Sequence, residues 1–179
     1  MKEGYTATAR WLHWLLALLI LGMLPLGFYM TGLPLSPQKL QLYSWHKWAG
    51  VTIFMLALAR LAWRLTHRPP ALPGHMARHE QWAAHGAHAL LYLLMLAIPL
   101  SGWLMSSAKG FQTVWFGVLP LPDLLARDRA LGELLASVHT ALNFTLIAVL
   151  IGHIGAALKH HFIDRDDILQ RMLRPAKEN

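Results

Sequence analysis

The sequence predicts an all-α integral membrane protein, a four-helix bundle with both chain ends on the cytoplasmic side. Three observations support this fold class: 55% of the 179 residues are hydrophobic, only 14% are charged, and apolar stretches recur four times. A soluble protein has about 25% charged residues. The length predicts a single domain, with spans at about 11–30, 45–65, 85–107 and 135–158.

Each apolar stretch is long enough to cross a bilayer. A helix rises about 1.5 Å per residue, so about 20 residues cover the roughly 30 Å of a hydrocarbon core. The first stretch carries Arg10 and His13 and is followed by no small-residue cleavage pattern, so it predicts a retained helix and not a signal peptide. Residues 162–173 alternate charged and apolar positions, which predicts a short surface helix after the last span.

The distribution of lysine and arginine predicts the orientation in the membrane. The N-terminus, the connection after the second span and the C-terminal tail are rich in these residues, whereas the other two connections hold few or offset them with acids. Because positively charged loops stay in the cytoplasm, both termini are predicted to face it. This asymmetry also explains the net charge of +7, so the basic pI does not indicate a nucleic-acid partner.

Four histidines lie inside or at the ends of the spans: His13, His46, His139 and His153. An imidazole in a membrane costs free energy and marks a functional site by default. His139 and His153 are 14 residues apart, an interval that advances a helix by about 21 Å and returns the side chain to within about 40° of its first direction. Depth then pairs His46 with His139 near the periplasm and His13 with His153 near the cytoplasm.

Two such pairs favour two haem groups. Zinc and copper sites usually gather three or four protein ligands at one depth, whereas haem iron needs only axial ligands from the protein. The chain has no cysteine, which excludes disulfides, thiolate-held iron–sulfur clusters and covalent haem attachment. The sequence therefore predicts four axial haem ligands, His13, His46, His139 and His153.

Two arginines near the end of the second span are candidates for contacts with haem propionates. Arg60 follows His46 by 14 residues, so it shares nearly the same helix face at the cytoplasmic depth, and Arg64 lies one turn further on. A guanidinium binds a carboxylate through two parallel hydrogen bonds. The alternative for both is a cationic anchor whose side chain reaches toward lipid phosphates.

Two further histidines have several interpretations. His88 begins the third span at the depth of His13 and His153, and it is a competing ligand, a proton donor to a quinone, or an interfacial residue. His160 continues a seven-residue stripe from His139 through His153. It either serves quinone protonation or the propionates, or it is a solvated helix end.

A set of short motifs runs through the whole chain: RWLHW at 10–14, His46 with Gly50, Arg60 and Arg64, HGAH at 85–88 with Tyr92, Pro99 and Gly102, and His139, His153 and the pair His160–His161. With these motifs the chain resembles the bacterial cytochrome b561 family, related to the cytochrome b subunits of nickel–iron hydrogenases and formate dehydrogenases. The resemblance implies a four-helix bundle in the inner membrane that holds two haems b, exchanges electrons with the quinone pool and uses the four histidines as axial ligands.

Among short, stand-alone members of that family, the chain is most similar to those that oxidise superoxide. This similarity implies an enzyme that takes an electron from periplasmic superoxide, releases dioxygen and passes electrons through both haems to ubiquinone. A cationic patch speeds the encounter with such an anion; Lys109 is the preferred guiding residue, with Lys39 and Lys47 nearby, and a plain interfacial anchor is its alternative. Quinone reduction takes up protons, for which His88 and His160 are candidate donors.

Two other functions compete with this one. The first is a cytochrome b subunit that relays electrons between a dehydrogenase or hydrogenase partner protein and the quinone pool, with the aromatic segment 111–121 as its docking surface. The second is a histidine-lined transporter, which predicts acidic residues inside the spans; the four predicted spans contain none. Membrane lipid is a predicted partner in every case.

Overall fold

The protein is a bundle of four long antiparallel helices, which confirms the predicted fold class. The computed structural model describes residues 4–74 and 76–174. All four long helices have the length and apolar composition needed to cross a membrane. They are α1 (Ala7–Gly32), α2 (Pro37–Thr66), α3 (Arg78–Ala108) and α4 (Arg129–Lys159), and a short α5 (Ile168–Leu173) follows.

Polar caps determine where three of these helices begin. Thr6, Ser36 and Asp128 each accept a hydrogen bond from the backbone N–H three residues further on, which satisfies a donor that the helix itself leaves unpaired. Pro37 occupies the first turn of α2, where its missing N–H has no cost. Each predicted span lies inside one helix, but the helices extend beyond the apolar stretches into these capped polar segments.

Close backbone packing joins α1 to α2, α2 to α3, and α3 to α4, whereas α4 and α1 approach each other less closely. A cluster of buried side chains fills the middle of the bundle with contributions from all four helices: Leu16, Ile20, Ile53, Leu94 and Leu146. We call the end that holds the start of α1 and the end of α4 the terminal end, and the opposite end the connection end. The apolar cluster separates them.

The connection between α3 and α4 folds as a β-hairpin against α2. Strands β1 (Val114–Trp115) and β2 (Leu119–Pro120) pair antiparallel, and Phe116 and Gly117 form the turn with positive φ angles of 50° and 71°. The indole of Trp48 donates to the carbonyl of Val114 at 2.6 Å, and the indole of Trp115 donates to Thr52 Oγ1 at 3.3 Å. These bonds hold the hairpin beside the part of α2 that carries His46.

The C-terminal surface helix is shorter than the predicted 162–173. A π-helical turn, His160–Asp164, continues α4 and ends at Arg165, whose φ of 55° is left-handed. The Asp166 carboxylate then accepts the backbone N–H of Ile168 at 3.0 Å, so α5 starts only there. The alternating pattern predicted the helix but not the turn before it. Charged and apolar residues alternate in the turn and in the helix alike, so the pattern does not mark the boundary between them.

Replacing Asp128 by alanine tests the cap of α4. The substitution removes the acceptor for the Leu131 N–H, so we expect the free energy of unfolding to fall by about 1 kcal/mol. Equilibrium unfolding in detergent, followed by circular dichroism, measures it. Asp128→Asn keeps an acceptor and serves as the control; equal stability of the alanine and asparagine variants would contradict the capping role.

Candidate haem-binding sites

The structure brings both predicted histidine pairs together. At the connection end the ring centroids of His46 and His139 are 6.4 Å apart, and at the terminal end those of His13 and His153 are 6.2 Å apart. All four side chains are half-buried. The pairs therefore lie on either side of the apolar cluster, as the 14-residue interval on α4 predicts.

Both separations suit one iron ion between two imidazoles. A metal–imidazole bond is about 2 Å long and the ring centre lies about 1 Å behind the nitrogen, so rings on opposite sides of one metal have centroids about 6 Å apart. The ring planes of the two pairs cross at 74° and 69°, an edge-on arrangement that unligated rings also adopt at about 4.5–7 Å. The separations are therefore compatible with an ion between the rings, and the residues fit bis-imidazole haem ligation.

The helices that carry each pair also leave room for a flat macrocycle. His46 is on α2 and His13 on α1, and neither helix packs closely against α4, which contributes the other ring of each pair. At Gly50, one turn after His46, no described atom lies within 4 Å of the position a Cβ would take. Each pair therefore bridges helices with separated backbones, which is the geometry a porphyrin between them requires.

His139 is held in a defined orientation from behind. Its Nδ1 lies 2.9 Å from Ser101 Oγ and 3.1 Å from the carbonyl oxygen of Ile98, and the Ser101 hydroxyl itself donates to that carbonyl at 2.7 Å. Nδ1–H therefore donates to this oxygen pair and leaves Nε2 for a metal. A Cβ at Gly102 would lie 3.2 Å from His139 Cε1, so glycine permits the close approach.

His46 has no comparable support. Its Nδ1 is buried and has no hydrogen-bond partner in the described part of the chain, while Gly27 of α1 faces its Cε1, with a potential Cβ at 3.6 Å. The two imidazoles of this pair thus differ in basicity, because only the His139 ring donates to a carbonyl. This difference could not be predicted from the sequence, because a single buried serine on another helix forms no pattern.

The terminal end contains a third imidazole. The His88 ring centroid lies 5.5 Å from that of His153, closer than His13. However, His88 and His153 are on α3 and α4, which pack closely together, so less space remains between them for a macrocycle. The geometry favours His13 as the partner of His153 and leaves His88 beside the pair.

Arg60 connects three helices near this terminal pair. Its Nε donates to the Tyr92 hydroxyl at 3.0 Å and its Nη1 to the Ala9 carbonyl at 3.3 Å, one turn before His13. The guanidinium groups of Arg60 and Arg64 lie 5.8 and 5.5 Å from the centre of the Tyr92 ring. Both arginines are therefore positioned at the depth where propionates of a haem between His13 and His153 would leave the bundle.

Arg10 is a further candidate that the sequence did not single out for the propionates. It lies three residues before His13 on α1, and its Nη1 is buried and has no hydrogen-bond partner among the described residues. A buried unpaired guanidinium nitrogen costs free energy unless it meets an anion. The propionate of a haem at this pair is such an anion, so Arg10 fits the same role as Arg60.

His160 lies further along α4 and contacts carboxylates. Its Nδ1 is 2.6 Å from Asp166 Oδ2 and 3.1 Å from Asp164 Oδ2, and Lys159 pairs with Asp164 at 2.7 Å. These contacts place His160 in a polar network at the start of the π-helical turn. Its predicted role toward a quinone or the propionates remains a prediction.

The three lysines near the connection end all have partners. Lys109 forms an ion pair with Glu133 at 3.4 Å, Lys39 donates to the carbonyls of Thr31 and Leu33, and Lys47 donates to a carbonyl of the hairpin segment at 2.9 Å. Glu133 therefore partly offsets the charge of Lys109. Lys47 directly follows His46, and the Asp123 carboxylate lies close enough to act on its charge, so both lysines have an acidic neighbour.

A membrane-spanning four-helix bundle with imidazole pairs bridging its helices defines a membrane electron-transfer cytochrome. The chain belongs to the prokaryotic cytochrome b561 family, whose model matches residues 4–175, and this confirms the resemblance found in the sequence. The family implies haem b as the cofactor.

Relatives match the chain along nearly its whole length. Cytochrome b561 homolog 2 of Escherichia coli (strain K12) is 34% identical over 178 residues, covering 96% of this chain and 92% of that protein. Cytochrome b561 homolog 1 of the same organism is 28% identical, with coverages of 94% and 96%. A probable superoxide oxidase, CybB of Yersinia pestis, is 25% identical, and the match covers 97% of each chain.

Alanine variants of the four paired histidines test the ligand assignment. The prediction of one haem at each pair implies that each alanine variant loses one of two haems, measured as the haem-to-protein ratio of the purified protein. His13→Ala and His153→Ala should lose the same spectral component, and His46→Ala and His139→Ala the other. His67→Ala, stacked on Trp63 outside both pairs, is the control. If His13→Ala retained two haems, His88 and not His13 would be the partner of His153 in binding the haem at the terminal end.

Ser101→Ala tests the support of His139. Loss of one of two acceptors makes the His139 ring a weaker base, so one haem should be retained less tightly, by about tenfold, with its midpoint potential raised. Potentiometric titration and haem transfer to an acceptor protein measure both effects. Ser137→Ala, which removes a hydroxyl bonded only within α4 at Glu133, should leave both values unchanged. An unchanged potential in Ser101→Ala would exclude a role in tuning.

Proposed function

We propose that this cytochrome is a superoxide:ubiquinone oxidoreductase that carries electrons across the bacterial inner membrane through two haems b. The observation that carries the proposal is the presence of two imidazole pairs at two depths, both anchored on α4. The 14-residue interval between His139 and His153 corresponds to about 21 Å, most of the roughly 30 Å hydrocarbon core. Haem b bound at each pair would supply one-electron redox chemistry.

The residues around the pairs hold and insulate these sites. His13, His46, His139 and His153 would serve as axial ligands, and Ser101 with the Ile98 carbonyl orients one of them. The apolar cluster between the two levels excludes water from the bundle centre. The hydrophobic surroundings limit solvent access and lower the local dielectric constant, which influences the redox potentials of the haems.

The terminal end would face the cytoplasm, where lysine and arginine of the termini and of the α2–α3 connection lie. Propionates of the haem at this end would meet Arg60, Arg64 and Arg10. Ubiquinone would be reduced nearby and take up two protons with two electrons, and His88, next to His153, is the proposed proton donor. His160 remains a second candidate donor at the same end of α4.

Superoxide is the proposed donor at the connection end. Each superoxide gives up one electron and leaves as dioxygen, so two superoxide ions reduce one ubiquinone. Lys47, adjacent to His46 and bonded to the Phe111 carbonyl, supports this choice because a cation beside the site attracts the anion, although Asp123 offsets part of its charge. The full-length similarity to a protein named as a probable superoxide oxidase also supports it.

Rapid mixing of the oxidised cytochrome with superoxide tests the donor. We expect haem reduction with a rate constant near the diffusion-limited range of about 10⁸–10⁹ M⁻¹s⁻¹, followed by reoxidation when ubiquinone is added. His46→Ala should abolish the fast phase while the terminal haem stays bound. Reduction many orders of magnitude slower would eliminate superoxide as the substrate.

Charge substitutions sharpen this test. Lys47→Gln should slow the reduction several-fold and weaken its dependence on ionic strength, because it removes one attracting charge. Lys109→Gln should have a smaller effect, since Glu133 forms an ion pair with that charge at 3.4 Å, whereas Asp123 acts on Lys47 only through its electrostatic field. If Lys109→Gln slowed haem reduction more than Lys47→Gln, Lys109 would be the residue that guides superoxide.

A relay subunit for a partner enzyme is the second candidate. The hairpin presents exposed apolar side chains at its tip, with Phe116 57% and Val118 83% exposed, and exposed apolar patches mark protein or membrane contacts. A slow reaction with superoxide combined with co-purification of a dehydrogenase would favour this function. Truncating the hairpin tip would then abolish the association.

A further inference from the structure

A cavity of about 710 Å³ opens at the terminal end of the bundle. It lies between the start of α1, the last turns of α2, the α2–α3 connection and the C-terminal segment. Hydrogen bonds fix its walls: the indole of Trp63 donates to Thr6 Oγ1 at 3.0 Å, and Arg171 Nη1 donates to the carbonyl of Ala71 at 2.7 Å. These hydrogen bonds hold the walls of the open cavity in fixed positions.

The lining of this cavity is strongly cationic. Among the described residues that line it, the only carboxylate is Asp167, and this carboxylate pairs with Arg171 at 2.8 Å. The proposed function uses Arg60 and Arg64, together with Arg10 outside the lining, for the propionates of one haem. Arg68 has no acidic partner among the described residues that line the cavity. We call the four arginines the arginine pocket: Arg60, Arg64, Arg68 and Arg171.

The other wall of the cavity is apolar and lies at the membrane boundary. Trp63, Pro69, Pro70 and Leu72 line it, and Leu65, between the arginines on α2, is 78% exposed. Because α2 is one of the spanning helices and Leu65 is in its last turn, this opening is at the level of the lipid head groups. A ligand here meets cations on one side and acyl chains on the other.

Tyr5 adds a neutral donor to the cavity. Burial raises the pKa of the Tyr5 phenol, although Arg64 and Arg60 oppose the shift, so the hydroxyl keeps its proton at physiological pH. A phenol O–H and several guanidinium groups together offer hydrogen bonds that suit the oxygens of a phosphate.

We propose that the arginine pocket binds the phosphodiester head group of an anionic phospholipid. Phosphatidylglycerol carries one negative charge on its phosphodiester, which is complementary to the charge of Arg68 in the lining. Basic pockets between spanning helices on the cytoplasmic side commonly bind such head groups. The proposal rests on the proposed function only in assigning Arg60 and Arg64 to propionates and in placing this end in the cytoplasm.

Native mass spectrometry of the delipidated, haem-loaded cytochrome, titrated with phosphatidylglycerol or phosphatidylcholine, tests the proposal. We expect phosphatidylglycerol to bind at least about tenfold more tightly. The double variant Arg68→Gln/Arg171→Gln should reduce this affinity to that of phosphatidylcholine. The matched control Arg78→Gln/Arg174→Gln removes two exposed arginines of the same end that do not line the cavity, and should bind like the wild type.

Haem content separates this proposal from the proposed function. Both double variants should retain the wild-type number of haems, and the lipid result stands whether or not superoxide is the donor. If both double variants lost the same amount of lipid affinity, binding would depend only on the overall surface charge. That result would contradict a specific lipid site in the arginine pocket. Competition by inorganic phosphate at similar concentrations would assign the pocket to a soluble anion and overturn a lipid ligand.

Hydrogen exchange of the wild-type protein gives an independent measurement if the pocket variant does not fold. Phosphatidylglycerol, but not phosphatidylcholine, should slow exchange in the α2–α3 connection at 68–74, because the bound head group would order this wall. Equal exchange with both lipids would contradict the proposal.

Discussion

The nitrogens of an imidazole in the hydrocarbon core need a hydrogen-bond partner or a metal ion, because leaving them unpaired costs free energy. In this bundle each of the four paired rings lies next to a ring from another helix. This constraint explains the layout of the molecule. α4 supplies one member of each pair, and the partners come from the two helices that do not pack closely against it. The apolar cluster then fills the space between the two levels. The bundle is therefore two polar sites separated by a hydrophobic layer.

The two sites differ in how the protein supports them. At the connection end, support is concentrated behind one ring, where Ser101 and a backbone carbonyl orient His139 and leave His46 without such a partner. At the terminal end, support comes from cations around the ring edges and a third imidazole close by. Such differences in hydrogen bonding and nearby charge shift redox potentials, so two chemically identical cofactors would become distinguishable centres.

The sequence predicts the parts that depend on regular periodicity. Spans follow from composition, and the pairing of His139 and His153 at two depths follows from the helical repeat. Contacts between helices cannot be predicted in this way. The hydrogen bond from Arg60 to Tyr92 and the approach of Gly102 to His139 depend on how the helices are rotated relative to one another. No local pattern encodes that rotation. The ion pair of Lys109 with Glu133 likewise depends on how the start of α4 lies against the end of α3.

The position of both α4 ligands on one uninterrupted helix restricts how this chain can vary in length. One residue inserted between His139 and His153 would turn the second ring by about 100° and carry it away from its partner on α1. An insertion of seven would nearly restore the direction but would deepen the site by about 10 Å, beyond the reach of His13. A change of length between His139 and His153 would therefore separate one imidazole pair, and this interval sets the distance between the two pairs.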